Sequence, residues 1–336
     1  MRVRSFCEWQ ASTSVVAALF LVAALSVGAQ VGSRVPRLCF LTFDPGTAQS
    51  PSLRFDAFFQ GLRDLGYEHG RTLAIDYLTA DGRGELFPAL AAECLRLNAD
   101  IIAVTTTPAA QAAKNATRTI PIVMLSVGDP VGTGLVESLA RPGGNVTGVS
   151  TMTVGLAAKR LELLKEAVPQ VSRVLVLSYP VDPVVPLQVK ALEEAAPSLG
   201  IKLLIREIRT ADDLPAAFAA GVKERADGLI TTSASIFRVQ RARVTELAAR
   251  HRLPAMYPFS AMADESGGLM AYTVVEPDLQ RRAATYVDKI LKGAKPADLA
   301  VQQPVLFKLV INLKTAKTLG LTIPPSVKVR ADQVIQ

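Results

Sequence analysis

Ile120-Pro121-Ile122-Val123-Met124-Leu125, running on into Ser126-Val127-Gly128-Asp129-Pro130-Val131-Gly132-Thr133-Gly134, is the stretch whose reading decides the fold. A short unbroken run of apolar, mostly branched residues that stops at Gly and Pro reads as a strand covered on both faces, as in parallel sheets. Ligands of open α/β sheets bind outside the carboxyl ends of such strands, which places the loop carrying Asp129 at a ligand site.

The surroundings of this strand recur later in the chain. Asn98-Ala99-Asp100 leads into Ile101-Ile102-Ala103-Val104, then Thr105-Thr106-Thr107, a helical segment and the Ile120 strand. Arg225-Ala226-Asp227 leads into Gly228-Leu229-Ile230, then Thr231-Thr232-Ser233, a helical segment and Leu253-Pro254-Ala255-Met256-Tyr257. A unit repeated in this order predicts two similar α/β lobes with parallel sheets, each carrying hydroxyl-rich loops at its strand ends.

The size agrees with that division. Single cores stop growing near about 250–300 residues, and this chain has 336, 49% of them hydrophobic and only 6% aromatic. Arg2 and Arg4 precede an apolar run from Val15 to Val27 that ends in Val27-Gly28-Ala29, the pattern of a secretory signal peptide covering residues 1–29. Export to the periplasm with cleavage after Ala29 is therefore expected. No Cys follows the apolar run, so a lipid-anchored mature terminus is not. Losing Arg2, Arg4 and Glu8 takes the formal charge from +7 to +6. The remaining Lys and Arg are scattered along helices without interleaved aromatics, which argues against a nucleic-acid partner. Export would permit a Cys39–Cys94 disulfide; an apparent strand and a helix carry the two cysteines, and two buried thiols are the expectation.

Strand and helix alternate from residue 35 onward, with right-handed crossovers expected. Arg141-Pro142-Gly143-Gly144 breaks the pattern, and a first crossing between lobes falls near Ser150. The tail is long enough to cross twice more, giving a first lobe of residues 35–150 plus 274–300 and a second of 151–273 plus 301–336. Three crossings would form a hinge.

Enzyme signatures are largely missing. His69 and His251 are the only histidines, and no HExxH, CxxC, phosphate-loop or GxSxG string occurs. No metal or cofactor is expected. What remains suits a small polar ligand held without reaction. Thr105 and Thr107 precede a helix whose free N–H groups would favour an anion such as a carboxylate, and Thr232 and Ser233 offer the same arrangement from the second lobe. The same residues read equally as ordinary helix caps. Asp129 could neutralise an ammonium, or simply open a turn. Tyr257 and Tyr272 lie at or near strand ends where aromatic walls line pockets, and packing is the alternative for each.

Beyond V-G-D-P-V-G at 127–132, residues 138–148 read S-L-A-R-P-G-G-N-V-T-G, 159–166 read K-R-L-E-L-L-K-E, 281–296 read R-R-A-A-T-Y-V-D-K-I-L-K-G-A-K-P and 311–326 read I-N-L-K-T-A-K-T-L-G-L-T-I-P-P-S. With these strings the chain resembles the substrate-binding proteins of ABC importers of the tryptophan/tyrosine-binding type. The resemblance implies a type I periplasmic-binding-protein fold, a monomer that traps a small amino-acid-like or carboxylate ligand between its lobes, and delivery to a membrane permease with its ATPase. It places the cleft at the loop after Phe43 (Asp44), at Thr107 and Asp129, and at the loops of Ser178, Ser233 and Tyr257. Ser178-Tyr179-Pro180 and Ala271-Tyr272-Thr273 depart from the W-N-P and S-Y-G of many relatives, which puts an aromatic ligand in doubt. An exported enzyme on the same scaffold is the competing reading, with Asp129, Asp264 or Glu265 as its acid or base. A transcription regulator would instead begin with a helix-turn-helix.

Overall fold

The computed structural model describes residues 34–336; the expected export signal lies outside them. The first sheet is built from β1 (Arg37–Thr42), β2 (Ala74–Thr79), β3 (Ile101–Val104), β4 (Ile122–Val127) and β5 (Val146–Ser150). Their order is β2-β1-β3-β4-β5, and every pairing is parallel. The second sheet comprises β6 (Arg173–Ser178), β7 (Lys202–Glu207), β8 (Gly228–Thr231), β9 (Ala255–Tyr257), β10 (Met270–Val274), β11 (Phe307–Asn312) and β12 (Gln333–Ile335), in the order β12-β11-β10-β9-β8-β6-β7. Two α/β layers with mostly parallel strands are thus the architecture, and β3 and β4 are buried almost throughout because helices cover both faces.

The internal repeat has a physical cause. Asn98 and Arg225 both take left-handed backbone conformations at the ends of their helices, with φ of 55° and 61°. Each is followed two residues later by an Asp whose carboxylate accepts the backbone N–H that opens the neighbouring strand: Asp100 from Arg37 at 2.7 Å, Asp227 from Arg173 at 2.7 Å. Pro121 and Pro254 then accept from Ile102 and Leu229, both at 2.9 Å. The same clasp starts each sheet.

The chain passes from the first sheet to the second after β5, and between β10 and β11 it returns to pack on the first sheet before rejoining the second. That return leads into the helix Glu276–Leu291, whose Leu279, Ala283, Val287 and Ile290 form one buried face. It packs on the helix Asp56–Asp64 of the first lobe. Gly61 permits the contact, since a Cβ there would lie 3.0 Å from that of Ala284. The chain then returns from the cleft end, so β11 enters the second sheet antiparallel to β10, the one reversal of strand direction in either sheet. Between these two strands in the chain, Gln302 forms an isolated parallel bridge with Val149 at the edge of the first sheet. The end of the chain adds β12 beside β11.

The expectation of two buried thiols is corrected. Cys39 on β1 and Cys94 on the covering helix Phe87–Arg96 are disulfide-bonded, with Cα atoms 5.7 Å apart. The sequence could not show this, because only the packing of that helix on β1 brings the residues together. Closing a loop across a separation of 55 residues stabilises by about 4 kcal/mol in the chain-entropy account. Replacing both cysteines by Ala should lower the unfolding free energy by about that amount in urea titrations, and an unchanged midpoint would mean the bond does not form in solution.

Candidate functional site

The carboxyl ends of β3 and β4 and those of β6, β8, β9 and β10 converge on a small cavity of about 40 Å³. Its first-lobe wall is made of threonines with fixed roles. Thr105 donates to Thr42 Oγ1 at 3.0 Å, Thr106 caps the helix Thr107–Ala116 by accepting from Ala109 N–H, and Thr107 Oγ1 accepts from Gly128 N–H at 3.2 Å. Capping, the alternative reading of this cluster, therefore falls to Thr106. Thr153, at the start of the helix Thr153–Ala167, also lines the cavity, and its buried Oγ1 has no partner.

Two charged groups dominate the second-lobe wall. Arg160, on the Thr153–Ala167 helix, is only 2% exposed. Its Nε donates to the Tyr272 carbonyl at 2.8 Å and its Nη1 to Ser233 Oγ at 3.0 Å. Among the described residues no carboxylate pairs with it, and burial pulls its guanidinium down to about 9. Asp182, in the loop after β6, is 4% exposed, and its carboxylate accepts only from Val184 N–H, at 3.1 Å. Burial raises its carboxyl to about 7, against the smaller opposing effect of that bond. A buried cation and a buried anion, each without an ionic partner, thus line one cavity. Neither Arg160 nor Asp182 stood out in the sequence. Arg160 lies inside the 159–166 string, where nothing local sets it apart, and Asp182 is one more Asp before a Pro.

The sequence-selected residues separate into groups. Thr105, Thr107 and Ser233 line the cavity, and Tyr272 contributes its backbone carbonyl to Arg160 while its ring stacks outside on Phe307. Asp129 is not at this cavity; its Oδ1 accepts from Gly132 N–H at 2.9 Å in the turn it opens. Thr232 hydrogen-bonds back to the Leu177 carbonyl, and Tyr257 is wholly buried core. Ser178 ends β6 in the interior. Asp44 pairs with Arg54 in a larger outer groove beside the cavity. Among the described residues no group of three or more His, Cys, Asp or Glu is placed to hold a metal ion.

The lobes are closed on each other. The Tyr179 hydroxyl of the second lobe lies 3.3 Å from where a Gly84 Cβ would sit, and one hydrophobic cluster runs from Phe43 and Phe87 to Tyr179 and Val185. Gly128 marks the tightest approach: a Cβ there would come within 2.7 Å of Thr153 Oγ1 and of a Val184 methyl. Gly128→Ala should therefore hold the lobes apart while leaving each intact. The expected result is a larger radius of gyration by small-angle scattering with an unchanged circular dichroism spectrum; wild-type compactness would mean the loop yields at no cost.

Residues 49–335 match the family model described as ABC transporter substrate binding protein. The curated "Tyrosine-binding protein" of Clostridioides difficile is 29% identical over 270 residues, covering 79% of this chain and 75% of the relative. A crystal structure of an ABC domain in complex with L-Trp from Streptococcus pneumonia superposes with a TM-score of 0.81 at 28% identity, covering 89% of this chain and 99% of the other. The ligand-free, open structure of a substrate-binding protein with adhesive properties from Clostridium difficile reaches only 0.62 at 26% identity, covering 90% and 100%. Sequence distance is nearly the same for both, so the better fit to the ligand-bound relative agrees with the closed lobe contacts. A match over nearly the whole described chain, on two sheets that meet at one cavity, places this protein in the ABC transporter substrate binding protein family.

Proposed function

We propose that this protein is the extracytoplasmic solute-binding component of an ABC importer and that its ligand is a free α-amino acid, held as a zwitterion between Arg160 and Asp182. The observation that carries this reading is the pair of opposite buried charges in one cavity, neither neutralised by the protein. A guanidinium suits a carboxylate because its N–H groups match the two oxygens. A buried carboxylate that would otherwise take up a proton suits an ammonium. Thr105, Thr107 and Ser233 fix the walls, and the unpartnered Thr153 hydroxyl adds a donor or acceptor for the ligand. The ammonium partner assigned from sequence to Asp129 thereby passes to Asp182.

The names of the relatives point to aromatic amino acids. In this chain Phe259 is the one aromatic side chain on the cavity wall. The family implies a membrane permease and ATPase as partners and an export signal in the N-terminal segment. Binding without turnover is the proposal over the enzyme reading, because the cavity wall holds no His, Cys or Lys.

A thermal-shift panel of L-amino acids, with their amides and deaminated analogues, tests the assignment. Ligand at about 100 times its dissociation constant adds roughly 2.7 kcal/mol of stability. Arg160→Met should cost about 2–5 kcal/mol against the amino acid and much less against its amide. Asp182→Asn should do the same against the amino acid relative to its deaminated analogue. Equal losses for charged and neutral compounds would refute both roles.

Binding should also depend on pH. In the empty protein the Asp182 carboxyl is protonated below about 7, and an ammonium ligand requires it ionised. Affinity should therefore rise about tenfold per pH unit from pH 5.5 towards 7 and level off above, with a proton released below 7. The empty protein should behave oppositely. A carboxyl raised by folding contributes stability at low pH that is lost as pH climbs from about 4 to about 7. Calorimetry in buffers of different ionisation enthalpy measures the proton release, and its absence in wild type would refute the role of Asp182.

A further inference from the structure

At one side of the cavity, whose wall includes Arg54 and Glu276, four charged side chains meet at the seam between the lobes. Arg54 and Asp44 belong to the first lobe and pair at 2.8 Å. Glu276 opens the helix that packs on the first lobe, and its Oε2 accepts from Arg54 Nε at 3.2 Å. Its other oxygen accepts from Nη2 of Arg238, which comes from the second-lobe helix Ser235–Val239. Arg238 is thus the only member from the second lobe. Its guanidinium also lies 3.9 Å above the ring of Phe259, and Phe259 lines the ligand cavity.

We propose that Arg238 is a positioning residue for the ligand: by docking on Glu276 of the opposite lobe it closes the cleft and presses Phe259 against the cavity. The charges of the cluster balance, two of each sign, so closure buries no net charge. Burial alone would raise the Glu276 carboxyl, but the Arg238 and Arg54 guanidinium groups hold it at about 2, so the pair is ionised at every working pH. The contact is not optimal, because Arg238 Nε is buried without an acceptor. An ion pair whose desolvation cost nearly offsets its attraction suits a joint that must open again. When the lobes part, Arg238 and Phe259 leave together, while Arg54 keeps Asp44 and Glu276. Closure is in this way communicated to the aromatic wall of the site through one cation–π contact.

The proposal rests on the two-lobed binding reading, but its first test needs no ligand. Small-angle scattering of the empty mature protein should show a larger radius of gyration for Arg238→Met and for Glu276→Gln than for wild type, with unchanged ligand-free melting temperatures. With L-serine or L-tyrosine as the probe, whichever stabilises wild type, Arg238→Met should raise Kd about 10–100-fold. Arg238→Lys, which keeps the charge and loses the planar face over Phe259, should restore the compact form yet recover affinity only in part. Wild-type compactness in both charge-removing variants would overturn the latch. A melting temperature lowered in the empty protein would overturn it equally, marking Arg238 as a residue of the lobe's own fold. If neither amino acid binds wild type, the amino-acid assignment fails while the scattering comparison still decides the latch.

Discussion

A guanidinium taken out of water without a carboxylate beside it is among the most unfavourable arrangements a folded chain can keep, and Arg160 is in that state here. Two hydrogen bonds, to the Tyr272 carbonyl and the Ser233 hydroxyl, hold it in place without neutralising it. Its surroundings follow from that constraint. Ser233 is itself fixed through its N–H to Gln188 Oε1 at 2.8 Å, and Gln188 is wholly buried. The helix carrying Arg160 packs against β8, β9 and β10, which fixes the direction in which the side chain can extend. A wall so prepared is already ordered, and pre-ordered groups lose little on binding.

The opposite charge at Asp182 faces the same cavity. A monovalent anion would satisfy Arg160 and leave Asp182 to take up a proton; a monovalent amine would satisfy Asp182 and leave Arg160 bare. Only a ligand that carries both charges satisfies both at once, and specificity of this kind comes as much from what the wrong ligand leaves unpaired as from what the right one gains. The seam at the edge of the cavity obeys a different rule. There the four charges of Asp44, Arg54, Arg238 and Glu276 neutralise each other, so the contact between the lobes buries no net charge.

Much of the fold was legible in the residues. The branched runs at Ile101 and Ile122, the turn chemistry after them, and the second copy at Gly228 and Ala255 specify two parallel α/β units because each apolar run must be covered on both faces. The Asp that clasps the next strand recurs at 100 and 227 and is visible as a repeat before its role is known. The placement of hydroxyl loops at strand ends was also legible, and Thr105, Thr107 and Ser233 do meet at the cavity. Tail topology was not: β11 runs antiparallel and β12 exists only because the chain returns to the second sheet from the cleft end.

What the sequence by itself determined is therefore the layering, the two lobes and the loops that could face a ligand, all of which follow from local periodicity and turn chemistry. Which charges remain unpaired was decided by the tertiary structure alone. Asp129 and Asp182 are both Asp residues near a Pro in a loop after a strand, and nothing local distinguishes them. One finds its partner three residues away in its own turn, and the other is enclosed when two lobes close over it. Arg160 and Arg238 likewise look like surface arginines on helices until the packing of those helices removes the water. The same holds for Cys39 and Cys94, which become a pair only when a helix lies down on β1. Burial and partner choice are properties of residues distant in sequence and brought together by packing, and this is why they could be found only in the folded chain.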